Sequence, residues 1–543
     1  MLRKQFTAGA LLLAFALQGV VAQTAPALYS APKDAIDKIR DEGMNRSQYM
    51  RTLSYLTDNI GGRLTGSPGM KQANEWTRDK MKEWGMQNAR LESWGPFGRG
   101  WALRKFTAVV NDPQYVPVIA FPNAWSPSTK GAVTSEVVVL EGNSEAELAK
   151  YQGQLAGKIV FLSGVRPLAA LDKALSKRYS DEELAKMAEA PMPGESDGSG
   201  LPPAAVIKQF VDGFNKNVEK TKFLQKEGAA VVVYSSGEGS GGTLFVQGAN
   251  VAHPMPTEIK SISDIVESPA FQPHNKKYES NMLPQLTMAT EDYNRIVRMV
   301  RNGAKPQMTV DIDAQYFDSD PMQYNTIAEI PGTDPVLKDE VVMLGAHLDS
   351  WHSSTGATDN GAGSAAVMEA ARIIVASGLK PKRTIRVALW SGEEQGLLGS
   401  TAYVKQHFGE MKNGALVKGP DYDKLSGYFN LDNGTGKIRG VYLQGNANIK
   451  PLFESWLSPF GDLGAKTLTL SNTGGTDHLP FAGIGLPGFQ FIQDEVEYGS
   501  RTHHSNQDNF DRIQAEDMKQ ASTIIAAFAY QAAMMDAKLP RRK

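Results

Sequence analysis

The spacing of apolar residues divides the chain into stretches of different period. Near the start, 35–40 and 48–56 carry helical spacing, and 72–84 sets Ala73, Trp76, Met81 and Trp84 at near-helical intervals before a stop at Gly85. Between them, GGRLTGSPG at 61–69 reads as a loop. From about Asn111 to Pro284 the character changes. Short β-like runs (EVVVL from Glu136, GKIVFL from Gly157, AAVVVYS from Ala229) stand between Gly-, Pro- and Ser-rich stretches, the pattern of an inserted β-rich domain. Mobile loops are expected at 190–203 and 235–242. From about Gln285 strands alternate with helices, which predicts a mostly parallel sheet with helices on its faces. Strands are expected at 324–329, 340–345, 384–390, 427–430, 440–444 and 488–492. The clearest helix spans 362–376, where Ala365, Met368, Ala371, Arg372 and Val375 share a mostly apolar face. The fold class is therefore α/β, and no fixed-period repeat is present.

A chain of 543 residues is long enough for two or three domains. Hydrophobic residues at 41% and charged residues at 21% exclude a disordered or fibrous chain. A formal charge of -2 provides no field to select nucleic acid or an anionic membrane. Arg3 and Lys4, the apolar run 8–17, and Val20-Val21-Ala22 before Gln23 read as a cleavable signal peptide over 1–22. That run is shorter than the ~20 residues of a spanning helix, so a secreted or periplasmic protein with no membrane attachment after cleavage is expected. With no cysteine, neither disulfides nor thiolate metal sites can form, and any metal must be held by His and carboxylates.

Residues of those types cluster just beyond strand ends, where open α/β sheets place their sites. After VVML stands His347-Leu348-Asp349, after TIRVALW stands Glu393-Glu394, and after GYFN stands Asp432. Asp359 lies in a glycine-bracketed turn before the 362–376 helix, and His503-His504 lies near the C-terminus. Two zinc ions ~3.5 to 4 Å apart need a shared carboxylate with nitrogen and oxygen ligands on each side; imidazole with carboxylate suits zinc better than calcium or magnesium. Asp349, two residues beyond His347, can accept the other ring N–H of that imidazole. Glu393 and Glu394 point in different directions at a strand exit, so one can bind metal while the other moves the proton of the attacking water. Asp359 could also serve as a helix cap and Asp349 as a turn residue. His253, His274 and His407 read as ordinary structural histidines.

Together HLDS, ATDNGAG, SGEEQGLLGS, the Asp432 segment and HHSNQD resemble the zinc exopeptidase family of bacterial leucyl aminopeptidases and glutamate carboxypeptidases, with HLDSW and the double histidine most like its carboxypeptidase Q-type members. The resemblance implies the zinc exopeptidase fold, a mixed, mostly parallel sheet sandwiched by helices. It implies two zinc ions, His347 and Asp432 on one, Glu394 and His504 on the other, with Asp359 bridging and Glu393 as general base. His504 is the expected ligand because the family pattern of His, small hydroxyl residue, two variable residues and Asp fits only 504–508. Relatives often carry tyrosine where this chain has His503. Thr476-Asp477-His478 is implied as a pocket wall, so His503, Asp477 and His478 join the candidate substrate-binding residues. The segment from GKIVFL through FLQKEGAAVVVYSS resembles a protease-associated domain, expected to cover part of the cleft or mediate contacts. The implied division is 1–22 signal peptide, 23–110 first part of the peptidase domain, 111–284 insertion and 285–543 main part.

The expected activity is that of an aminopeptidase or dipeptidase acting on peptide or dipeptide substrates. The alternatives are a glutamate carboxypeptidase-like enzyme, a one-zinc glutaminyl cyclase sharing the fold, and a receptor-like binder. Between the two ends of a peptide, Arg501 is the candidate cation for a carboxylate and Asp477 the candidate anion for an amine. A serine mechanism is disfavoured because Ser364 lacks the second flanking glycine of a nucleophile elbow. The oligomeric state is left open.

Overall fold

The computed structural model describes residues 28–194 and 203–542. The expected signal peptide, and 195–202 of the loop expected at 190–203, lie outside them. Two eight-stranded sheets organise the chain. The first runs in the order Gln87–Trp94, Gln323–Ile330, Thr384–Trp390, Val341–His347, Leu425–Asn430, Gly488–Gln493, Ile438–Tyr442 and Thr467–Thr469. Its centre is parallel, from Thr384–Trp390 across to Gly488–Gln493, and antiparallel pairs flank it. The Thr384–Trp390 strand and the Ala362–Ala376 helix match the expected bounds, and the other expected strands of this sheet agree to within two or three residues.

Helices cover both faces. On one, Ala362–Ala376 and Ala515–Met534 pack on the sheet and on each other, and Lys33–Asn45 lies against both. The Ala362–Ala376 helix is buried nearly all round rather than along one stripe, because a third helix layer covers its outer side. The opposite face holds a second core of Trp390, Tyr403, Tyr428 and Phe481. Among the described residues no helix is long and apolar enough to cross a membrane.

The second sheet runs Val116–Pro117, Gly100–Asp112, Gln307–Phe317, Val133–Val139, Ile159–Phe161, Val231–Ser235, Gln285–Met288 and Ala120–Pro122. It reaches past the expected 111–284 at both ends. Gly100–Asp112 and Gln307–Phe317 pair antiparallel along almost their whole length, and the latter also pairs with Val133–Val139, so the divisions at 110 and 285 cut through this sheet. It is also less purely β than expected, since helices Ala204–Lys226 (23 residues) and Thr290–Arg301 (12 residues) belong to it. The stretch 235–242 is irregular but tied down: buried Ser236 donates to the Glu238 carbonyl and accepts the Phe245 amide.

Candidate active site

Three parallel strands end on the same side and deliver their next residues to one place. His347 closes Val341–His347, Glu393 and Glu394 follow Thr384–Trp390, and Asp432 follows Leu425–Asn430. The turn after Trp390 depends on Gly392, whose φ is +74°; a Cβ there would stand 2.7 Å from the Trp94 ring.

His347 Nε2 lies 3.3 Å from Asp359 Oδ1 and 3.3 Å from Asp432 Oδ1, and 4.0 Å from Glu393 Oε2. On the other side of Asp359, His504 Nε2 lies 3.3 Å from Asp359 Oδ2 and 2.9 Å from Glu394 Oε2. Ligand-type atoms thus form two overlapping groups, His347–Asp359–Asp432 and Asp359–His503–His504, with Asp359 in both. His503 is the more open of the two adjacent histidines, at 43% against 22% side-chain exposure, and its Nε2 stands farther from Asp359, at 3.9 Å. His504 has φ 58°, a left-handed conformation that a non-glycine residue keeps only when its surroundings hold it.

The supporting contacts differ from the expected ones in an instructive way. The ring Nδ1–H of His347 donates to the main-chain oxygen of Asp349 at 3.0 Å, with the Asp349 carboxylate 3.6 Å away. That carboxylate accepts the amides of Glu393 and Glu394 at 3.3 and 3.2 Å, and the Thr65 hydroxyl at 3.1 Å. The Asp349 carboxylate therefore aims the two glutamates, and its main-chain oxygen the histidine. The helix-cap role falls to Asn360, whose Oδ1 accepts the Gly363 amide at 2.8 Å while its Nδ2 donates to Leu431 O. Asp359 is left free to face the cluster.

Further residues support the ligands, most of them without a signal in the sequence. Arg63, fully buried, donates to four carbonyls, of Gly61, Leu348, Thr355 and Gly356, and so fixes the loop after His347. Asp508 accepts the amides of Thr358 and Asp359 at 2.5 and 3.2 Å. Half-buried Tyr498 donates its hydroxyl to Asp359 Oδ1 at 3.1 Å; desolvation of the hydroxyl, then the neighbouring Asp359, keeps it protonated far above its ordinary range. From the connection between the Val231–Ser235 and Gln285–Met288 strands, Gln247 meets His504 Nδ1 at 2.8 Å, and the Val246 amide donates to His504 O. The motif HHSNQD signalled His504 and Asp508, whereas Gln247 and Arg63 carry no local pattern.

Two expectations are corrected. His478 is fully buried, with Nε2 engaged by Gln444 and the Thr473 carbonyl, which leaves it no surface for substrate. The Arg501 guanidinium is paired with Glu497 at 3.1 Å, so it is not a free cation. Asp477 is buried beside the cluster, with both oxygens lacking a hydrogen-bond partner among the described residues.

The donor set calls for cations. Burial, and then neighbouring carboxylates, push Glu393 and Glu394 well above the usual carboxylate range. Asp359 Oδ2 and Glu394 Oε1 are buried without a hydrogen-bond partner, a costly state for carboxylates unless charge of opposite sign compensates it. Two imidazoles and several carboxylates converging without thiolates suit zinc.

The mixed sheet and this histidine–carboxylate cluster define a zinc-dependent peptidase. Residues 325–529 match the model of Peptidase family M28. The chain is 26% identical over 520 residues to carboxypeptidase Q of Mus musculus, which spans 94% of this chain and 91% of that protein. It is 31% identical over 207 residues to aminopeptidase YwaD of Bacillus subtilis (strain 168), which spans 37% of this chain and 42% of that protein. Its fold is shared with a peptidase M28 precursor from Shewanella amazonensis SB2B, at a TM-score of 0.61 and 22% identity, over 94% of this chain and 98% of that one.

Proposed function

We propose that this zinc exopeptidase is an exported two-zinc enzyme that removes amino-terminal residues from short peptides or splits dipeptides. The observation that carries the two-ion reading is the position of Asp359, which belongs to both ligand groups at once. His347 and Asp432 would hold one ion, Glu394 and His504 the other, and Asp359 would join them. A one-zinc cyclase has no need of the His347–Asp432 pair, and a receptor-like binder has no need of either.

Zinc, when bound, supplies a Lewis acid for the scissile carbonyl and acidifies water. Glu393 is the proton carrier. Its carboxylate lies 4.0 Å from His347 Nε2 and its main chain is fixed by Asp349, so that carboxylate can take a proton from water and return it to the leaving amine. Tyr498 holds one oxygen of Asp359 and thereby keeps that bridge oriented. His503, the more exposed of the two adjacent histidines, is the one available to substrate. Choice of the amino end follows from charge: Asp477, as fully buried as His478, does not touch a substrate amine, but with Glu393 it adds negative charge beside the cluster, which favours a substrate ammonium, while the Arg501 cation is already paired. The same argument disfavours a carboxypeptidase, although the relative with full-length coverage carries that word in its name. Export rests on the 1–22 segment.

Cleavage of one dipeptide in free, N-acetylated and C-amidated forms tests this. Loss on acetylation with tolerance of the amide is expected; the reverse pattern identifies a carboxypeptidase and contradicts the assignment of the amino end.

A further inference from the structure

A cavity of about 410 Å³ opens beside the cluster, on the side of Glu394. Ligand pockets occupy about 300–1,000 Å³ and combine apolar walls with a few placed polar groups, so this volume suits one bulky side chain with its adjoining backbone. On the catalytic side it is bounded by Glu394, Gln395, Gly396 and Trp351. Trp351 also lines a small void against Asp359 and His504, and its ring meets the His504 ring edge-on at 6.1 Å. The cavity and the cluster therefore share a wall.

The opposite wall comes from the connections of the second sheet. Phe214 projects from the Ala204–Lys226 helix and meets Phe271 with ring centroids 5.5 Å apart, and Ile265, Val266 and Ala270 complete the surface. The two layers close tightly at the rim: a Cβ on Gly396, whose φ is +112°, would fall 2.7 Å from Val266 Cγ1. Among the described residues the lining has no lysine or arginine, and Glu394 is its only carboxylate. Such a wall has no cation to offset the desolvation of an acidic side chain, and its one carboxylate, Glu394, is engaged with His504 rather than free to pair a basic one. Polar atoms do wait at the catalytic side. Both amide atoms of Gln395 and the indole N–H of Trp351 are buried without partners, a cost that a ligand carrying a peptide group beside its side chain removes.

We infer that this cavity receives the aromatic or branched aliphatic side chain of the substrate residue flanking the scissile bond, so that the second sheet's connections set which peptides are cleaved. The inference rests on the peptidase reading above. It makes the inserted segment a specificity element, with Phe214, Ile265 and Phe271 the residues that shape the pocket.

The test uses the full chain loaded with zinc. kcat/KM is measured for Phe-Ala, Ala-Phe, Leu-Ala and Ala-Ala, and binding of free phenylalanine and alanine is measured by calorimetry, in the wild type and in Ile265→Trp, which fills the cavity. One phenylalanine dipeptide is expected to be preferred over Ala-Ala by at least tenfold, and Ile265→Trp to lower that ratio at least tenfold. A ratio that stays within twofold of the wild type overturns the proposal. If Ile265→Trp loses its cooperative melt, Phe271→Ser, at a position already 39% exposed, carries the same test through a fall of threefold or more in the ratio. If no dipeptide is cleaved, the peptidase reading fails separately and calorimetry decides the pocket. Phenylalanine binding at least tenfold tighter than alanine, with that margin lost in the filled variant, upholds the pocket; equal binding overturns it.

Discussion

Gln247→Leu removes the amide that meets His504 Nδ1 at 2.8 Å and leaves a side chain of similar reach. The Gln247 amide nitrogen faces Nδ1 of His504, whose Nε2 faces Glu394. Coordination through Nε2 requires the proton on Nδ1; turning the amide over then presents the Gln247 carbonyl as acceptor. Loss of such a partner behind a ligating imidazole weakens metal binding by about 10- to 100-fold, or about 1.4–2.7 kcal/mol. The lower end is expected here. Gln247 is exposed, so water can replace its amide, and the Val246 amide still holds the His504 carbonyl at 3.1 Å. The perturbation should also be one-sided, because Gln247 makes no hydrogen bond to His347 or Asp432. Zinc competition with a chromophoric chelator, resolving a tight and a weak site, is therefore expected to show about a tenfold loss at one site and less than twofold at the other. Unchanged affinity at both sites, or equal loss at both, would refute the reasoning that a connection of the second sheet stabilises one ligand.

Arg63→Met strands the four carbonyls that Arg63 serves; at about 1–3 kcal/mol for each buried unsatisfied group, urea denaturation is expected to show a loss of about 3 kcal/mol or more. Asp508→Asn keeps one acceptor where two amides need one each, and kcat/KM should fall about ten- to hundredfold; a value within twofold of wild type would contradict the positioning role. His274, stacked on Phe97 with centroids 4.2 Å apart and with Nδ1 unpartnered, is pushed by burial down to about 4. Its folded value lies below the ordinary 6.5, so the unfolded chain binds the proton first; the stability present above pH 6.5 is lost as pH falls from there towards 4, by about 3 kcal/mol. His274→Phe is expected to flatten that stretch of a stability–pH curve, and an unchanged slope would show that the imidazole is not the group responsible.

The catalytic sheet was legible because its strands are short apolar runs whose parallel ends carry the chemistry directly: His347, Glu393, Glu394 and Asp432 each follow a run that reads as a strand. The Ala362–Ala376 helix was bounded by Gly361 and Gly378. The Ala515–Met534 helix was not anticipated, since it is buried on nearly every side and has no amphipathic stripe. Ala204–Lys226 was hidden for a different reason: it lies between loop-like stretches, and Gly213 interrupts its spacing. At the site, the ligands announced themselves by residue type, but their supports did not. Arg63 acts across 285 positions to Leu348, and Gln247 across 257 to His504. Such contacts depend on where two sheets meet, which no local period encodes. Asp349 shows the same limit at short range, because its backbone and carboxylate divide the tasks that spacing alone had given to the carboxylate.

The most direct test of the central claim is the zinc content of the purified full-length chain, measured by mass spectrometry alongside turnover, in wild type and Glu393→Gln. Two zinc ions per chain in both proteins, with turnover in the variant lower by about three to five orders of magnitude, is the predicted result. One ion or none in the wild type would contradict the bridging place given to Asp359, and near-normal turnover in Glu393→Gln would remove Glu393 as the proton carrier.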